Sequence, residues 1–241
     1  MNKEQLDAYK DFAKQKLGFE FAELQLLLTA LTHRSYVNEH KKSVTDHNER
    51  LEFLGDAVLE LVVSDFLFRN YDETEGIMTS WRAALVRTES IGAAGEALGY
   101  ESLVRMSKGE KNGSDRARQV ILADCFEAVI GAIYLDRGYE EAERFIRKHI
   151  LVKIKDVLES ESWRDPKSYL QELAQRSEGA TPIYKVLKED GPDHDKLFTL
   201  GVFVGNRLKG TGTGHSKQEA QTVAAAEAIK KYQKTADTGR S

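Results

Sequence analysis

Residues 48–60 read NERLEFLGDAVLE, a stretch with four carboxylates, one arginine and apolar residues at helical spacing. On a helical wheel the acids form one stripe opposite the apolar side chains. The acidic stripe comprises Glu49, Glu52, Asp56 and Glu60, and the apolar face comprises Leu51, Leu54, Val58, Leu61 and Val62. Taken alone, this pattern favours the solvated face of an ordinary amphipathic helix.

A second stretch, VILADCFEAVIGAIYL at 120–135, changes that interpretation. It is apolar nearly all round, which predicts a buried helix, and its only charged residues are Asp124 and Glu127 on one face. Burying bare carboxylates is costly, so they must be paired with cations or bind metal.

Two kinds of compensation for the buried charges of Asp124 and Glu127 are possible. Arginines could form structural salt bridges with the buried acids, the candidates being Arg82, Arg87, Arg116 and Arg118. Alternatively, the two helices face each other and pool their carboxylates around a hard cation such as Mg²⁺ or Mn²⁺. A carboxylate di-iron bundle is disfavoured because the chain contains no Glu-x-x-His.

Composition is that of a packed protein. The chain has 241 residues, of which 41% are hydrophobic and 31% charged. We expect no membrane partner, because no apolar run approaches the roughly 18 residues of a spanning helix. A single cysteine, Cys125, and an N-terminus without a signal-peptide pattern favour a cytoplasmic location.

The chain divides into two parts with different sequence patterns. Helical periodicity recurs at 21–31, 51–66, 81–98, 120–135 and 140–158. After Asp165-Pro166, which is typical of a helix start, Phe198–Val204 alternates with period two, and Ser216-x-x-Glu219 predicts a final helix at 216–233. We therefore predict an all-α domain at 3–158, a linker at 159–164, an α-β-β-β-α domain at 165–234 and a flexible tail at 235–241.

Four blocks of the first domain resemble the ribonuclease III family, in the family's order. They are LTHRSY (31–36), HNERLEFLGDAVLE (47–60), EGIMTSWRAALV (75–86) and ILADCFEAVIGAIYLD (121–136). The last third resembles a double-stranded RNA-binding domain. The resemblance covers residues from about 4 to 233 and implies an all-α nuclease domain of the ribonuclease III type followed by an α+β RNA-binding domain.

The resemblance also implies a reaction and a set of site residues. The family cleaves double-stranded RNA with metal-activated water, leaving 5′-phosphate and 3′-hydroxyl ends, and processes rRNA and mRNA precursors. Its metal-binding carboxylates match Glu52, Asp124 and Glu127, with Asp56 and Glu127 at the catalytic centre and Glu49 as a supporting acid. The expected cofactor is Mg²⁺, for which Mn²⁺ can substitute.

The family is a homodimer, and Phe53 matches an aromatic residue that inserts into the partner subunit. In the second domain, the expected RNA-binding residues are Gln171, Glu172, Gln175, His194 and Lys217. Gln218 follows Lys217 where the family often has further lysines, so phosphate anchoring is expected to be weaker. The alternative function is a non-catalytic double-stranded RNA-binding protein on the same fold, and the complete set of acids favours the enzyme.

Overall fold

The computed structural model describes residues 3–160, 163–192 and 196–238, with side chains described as far as residue 232. The chain forms two compact units, Met1–Trp163 and Arg164–Ser241. The first unit is helical and the second combines helices with a sheet, which confirms the predicted fold class.

The helical unit contains ten α-helices within the described residues. They are α1 (Lys3–Phe12), α2 (Leu24–Ala30), α3 (Arg34–Glu39), α4 (Glu49–Asn70), α5 (Glu75–Val86), α6 (Thr88–Leu98), α7 (Lys108–Lys111), α8 (Asp115–Arg137), α9 (Tyr139–His149) and α10 (Ile154–Ser160). A π-helical turn, Ala13–Leu17, follows α1, and 3₁₀ turns occupy Tyr100–Ser102 and Leu151–Lys153.

Helix α8 lies at the centre of this unit, with α2, α4, α6 and α9 packed around it. Its middle is buried on every side, as the apolar run at 120–135 predicts. Ser114 caps the helix by accepting a hydrogen bond from the Ala117 backbone N–H, and Gly138 with φ 84° ends it. Ser114 and Gly138 thus set the two ends of the helix that carries Asp124 and Glu127.

Three predicted features of this unit differ in the structure. The helix expected at 81–98 is two helices, because Arg87 adopts an extended conformation with ψ 149°. The helix expected at 140–158 is interrupted by the 3₁₀ turn, and α10 continues to Ser160 inside the expected linker. Leu61, placed on the apolar face by the helical wheel, is 57% exposed because α4 turns that position away from α8.

The second unit has the predicted α-β-β-β-α order. It comprises α11 (Pro166–Glu178), β1 (Pro182–Asp190), β2 (Leu197–Val204), β3 (Arg207–Gly214) and α12 (Lys217–Thr238). The sheet is antiparallel in the order β1-β2-β3, and α12 extends beyond the predicted domain end at residue 234.

Both helices of this unit pack on one face of the sheet. Leu170 of α11 and Val202 of β2 meet the alanine face of α12 in a small core. Gly210 and Gly212 allow close approach, since a Cβ at either position would lie 2.4 Å or less from an α12 backbone atom. The opposite face of the sheet is left to solvent, and Leu208 there is exposed.

No helix in the described part of the chain is long and apolar enough to cross a membrane.

Candidate active site and RNA-binding surface

Helices α4 and α8 cross with their backbones in direct contact. A Cβ added at Gly55 would lie 1.8 Å from the carbonyl oxygen of Glu127, and one added at Gly131 would lie 2.3 Å from that of Leu51. Only glycine fits at either position. The crossing brings the acidic stripe of α4 against the two acids of α8, as the sequence interpretation required.

Four carboxylates meet at this crossing, Glu52 and Asp56 from α4 and Asp124 and Glu127 from α8. The pKa of Glu127 is raised to about 8, chiefly by burial and then by the nearby charges of Asp56, Glu52 and Asp124. The surrounding carboxylates thus make it harder for Glu127 to ionise. A cluster of this kind stores electrostatic repulsion that a cation would relieve.

The pKa values of Glu52 and Asp124 are also raised, in both cases chiefly by burial. For Glu52 the charge of Asp124 is the next cause, and for Asp124 it is the charge of Glu49. The electrostatic couplings therefore join acids of both helices into one cluster, with Glu49 at its edge.

Glu49 differs from Glu52, Asp124 and Glu127 because basic side chains lie beside it. Its Oε1 lies 3.3 Å from Nη1 of Arg34, and its Oε2 lies 3.8 Å from Nδ1 of His47. Sequence reasoning missed this pairing, although Arg34 belongs to the LTHRSY block. The arrangement suits a supporting acid that ties α3 and the segment before α4 to the cluster.

The structure argues against salt bridges as the compensation for the buried acids. Arg82 lies 3.5 Å from Glu60, and Arg118 pairs with Asp115 at the start of its own helix. Within residues 3–160, 163–192 and 196–232, neither Asp124 nor Glu127 has a basic side chain within 4.0 Å. No arginine of the described residues is therefore placed to pair with either acid.

The carboxylates of the two helices are electrostatically coupled, but their side chains do not form a complete metal-ligand set. Among the described residues, no three Asp, Glu, His or Cys side chains stand at metal-binding distances from a common point. A partly buried set of oxygen donors is the ligand chemistry that suits a hard divalent ion.

Phe53 lies outside the core of its own chain. Its side chain is 81% exposed, next along the chain to Glu52 and on the surface side of α4. Leu61 and Phe68 are exposed on the same side of the helix, at spacings of eight and fifteen residues from Phe53. The structure therefore shows an exposed apolar face along α4.

On the second unit, the candidate RNA contacts occupy the surface of both helices. Gln171, Glu172 and Gln175 are exposed on α11, and Glu172 lies 3.8 Å from Arg164. Lys217 is the first residue of α12, with its Nζ 3.6 Å from Oε1 of Glu189. His194 lies outside the described residues.

Comparisons with known proteins fit this geometry. Residues 23–154 match the Ribonuclease-III-like family model, and residues 166–232 match the double-stranded RNA binding motif. The chain belongs to the ribonuclease III family. It is similar to Ribonuclease 3 of Bacillus cereus strain G9842, with 46% identity over 93% of this chain and 91% of that protein. Ribonuclease 3 of Bacillus anthracis strain CDC 684 is also 46% identical over the same shares of both chains.

Among solved structures, the chain is similar to a nuclease domain of ribonuclease III from Campylobacter jejuni. The match has a TM-score of 0.51 and 41% identity, and covers 62% of this chain and 99% of that one. That structure is described as showing flexibility in a region involved in dimer formation. Membership of the ribonuclease III family makes this chain an endoribonuclease for double-stranded RNA, and the family's nucleases depend on metal.

Proposed function

We propose that the α4–α8 carboxylate cluster hydrolyses double-stranded RNA with Mg²⁺ as cofactor, and that Mn²⁺ can substitute. The observation that carries the proposal is the raised pKa of Glu127, to about 8, at a crossing where no described basic side chain lies within 4.0 Å of Asp124 or Glu127. A site that disfavours its own ionisation gains stability when a divalent cation binds. Hard oxygen ligands in that number select Mg²⁺ over softer metals.

Glu52, Asp124 and Glu127 would hold the cation, and Asp56 would act with Glu127 at the reacting phosphate. When bound, divalent cations neutralise charge on phosphate oxygens and lower the pKa of water. Glu49, held by Arg34 and His47, keeps the edge of the cluster in place. Attack by water on phosphorus with departure of the 3′ oxygen leaves 5′-phosphate and 3′-hydroxyl ends.

The α4 surface supports a homodimer. Phe53, Leu61 and Phe68 are three exposed apolar side chains on one face of α4, and clustered apolar surface of this kind marks interaction sites. We place this face against the same face of a second copy, with Phe53 inserted into the partner. A two-fold arrangement would bring two catalytic clusters to one duplex.

The second unit would supply duplex affinity. Gln171, Glu172 and Gln175 are short polar side chains suited to 2′-hydroxyls in the shallow minor groove, and Lys217 is suited to phosphate. We expect His194 to contact RNA from the β1–β2 loop. The domains proposed for these roles are 3–158 and 165–234, in an enzyme that processes rRNA and mRNA precursors in the cytoplasm.

Cleavage of a labelled duplex tests the reaction. The purified chain is incubated with an RNA duplex of about 30 base pairs, long enough for the roughly 16 that such a domain spans. We expect cleavage with Mg²⁺ or Mn²⁺, none with EDTA, and products whose 5′ ends can be ligated without prior phosphorylation. Undiminished cleavage in EDTA, or 3′-phosphate products, would reject the proposed chemistry.

A further inference from the structure

One carboxylate in the second unit forms ion pairs with two lysines. Oε1 of Glu189 lies 3.6 Å from Nζ of Lys217, and Oε2 of the same residue lies 3.6 Å from Nζ of Lys196. The Lys217 ammonium also lies 5.5 Å from the centre of the Phe198 ring. These three charged residues, called here the Glu189 network, join the end of β1, the start of β2 and the start of α12.

Strand register explains why these residues meet. Glu189 is opposite Phe198, and Phe198 is opposite Gly214 on its other side. Directly opposed residues share a face of the sheet, and Gly214 faces α12, since a Cβ there would lie 2.7 Å from Cγ of Glu219. Glu189 and Phe198 therefore point to the side on which α12 begins.

The start of α12 is itself held in place. Ser216 accepts a hydrogen bond from the Glu219 backbone N–H, and Glu219 accepts one from the His215 backbone N–H. This capping box fixes the backbone beneath Lys217, so only its side chain needs to be ordered. Glu189 and Phe198 both contact that side chain.

We propose that Glu189 is a positioning residue that holds the ammonium groups of Lys196 and Lys217 together for a phosphate of duplex RNA. The proposal rests on the RNA contact proposed for Lys217. An ammonium has three donors, so the carboxylate can occupy one while phosphate oxygens accept from another. Without Glu189 the bridge between the two ammonium groups is lost, and the long Lys217 side chain regains conformational freedom.

The expected effect of Glu189→Gln on RNA affinity is opposite to the one that net charge alone predicts. Replacing Glu189 by glutamine adds one positive charge to the domain, which by itself favours a polyanion. Loss of positioning disfavours the same complex. We expect positioning to win because the Lys217 ammonium is paired with this carboxylate, and because the next residue in the chain, Gln218, adds no cation.

The proposal is tested by measuring the affinity of the full chain for duplex RNA at several KCl concentrations. EDTA is present, so no cleavage is expected. We expect Glu189→Gln to weaken binding about three- to tenfold, the range that ordering one or two flexible side chains carries. Glu227→Gln is the matched control, with the same charge change. Its amide oxygen can still accept the Thr211 N–H bond, so we expect binding as tight as the parent's or tighter.

A double-variant cycle separates positioning from other roles. In a Lys217→Ala background, Glu189→Gln should cost much less than in the parent, because its effect acts partly through Lys217. Equal costs in both backgrounds would show a structural role and overturn the proposal. Glu189→Asp, which keeps the charge, should recover part of the lost affinity.

Two other results have distinct meanings. If Glu189→Gln binds duplex as tightly as the parent or more tightly, the carboxylate competes with phosphate and positioning is rejected. If Lys217→Ala changes neither the affinity nor its dependence on salt, the RNA contact proposed for Lys217 fails. Thermal unfolding of each variant shows whether the domain remains folded.

Discussion

At the scale of single residues, Glu127 is the carboxylate of the α4–α8 crossing whose pKa links the site to the stability of the fold. Its pKa is raised from a usual 4.5 to about 8, so the folded state binds its proton more tightly than the unfolded state. That contribution to stability is complete below about pH 4.5 and is lost as pH rises towards 8. The unfolding free energy of the metal-free chain should therefore fall over this window.

Glu127→Gln should remove this pH dependence. Glutamine resembles the protonated acid, so the metal-free variant should match the parent at low pH and exceed it by about 2 kcal/mol near pH 8, after allowance for solvent screening. Duplex binding should persist, and Mg²⁺-dependent cleavage should fall by orders of magnitude. Denaturant unfolding at several pH values and a Mg²⁺ titration of cleavage measure both effects.

The contrary result for Glu127 is equally definite. If Glu127 served as a partner for a buried arginine, Glu127→Gln would destabilise the fold by roughly 3–5 kcal/mol at neutral pH. A variant destabilised to that extent, or one that cleaves at the parent's rate, would rule out Glu127 as a metal ligand.

At the scale of elements, the crossing of α4 and α8 determines whether the carboxylates can act together. Gly55→Ala would place a methyl group 1.8 Å from the Glu127 backbone oxygen, so the two helices must move apart. We expect a loss of about 2–4 kcal/mol in the unfolding free energy, together with a higher Mg²⁺ concentration for half-maximal cleavage. Thermal unfolding and the same Mg²⁺ titration test both.

Gly76→Ala is the control for Gly55→Ala. Gly76 lies in α5, and a Cβ there would meet nothing within 4 Å. Alanine favours helix over glycine by up to about 1 kcal/mol, so this variant should be unchanged or slightly more stable. Equal behaviour of the two variants would mean that the close crossing does not constrain the site.

At the scale of the whole molecule, the exposed apolar face of α4 is expected to form the dimer. Phe53→Ala should weaken self-association by on the order of 2 kcal/mol, the cost of removing an aromatic anchor from an interface. Sedimentation equilibrium measures the change. Val152→Ala is the control, since Val152 is also exposed at 67% but lies outside α4. No shift in the dimer constant for Phe53→Ala would exclude it as an anchor.

Several features of the whole molecule could be predicted from sequence because their causes are local. Helical periodicity placed α4 and α8, and the capping residues Asp165 and Ser216 marked the starts of the second unit's helices. Period-two alternation placed β2. The acids of 48–60 and 120–135 could be assigned to helix faces because a helical wheel needs only neighbours along the chain.

Sequence alone therefore determined the order of the two domains and the helix faces that carry their acids. The tertiary structure decided what depends on distant residues: the backbone contact at Gly55 and Gly131, the pairing of Arg82 with Glu60, and the meeting of Glu189 with Lys196 and Lys217. Propensity and periodicity act over a few residues. Ion pairing and close packing depend on distances between elements, which are set only when the helices and strands are packed together.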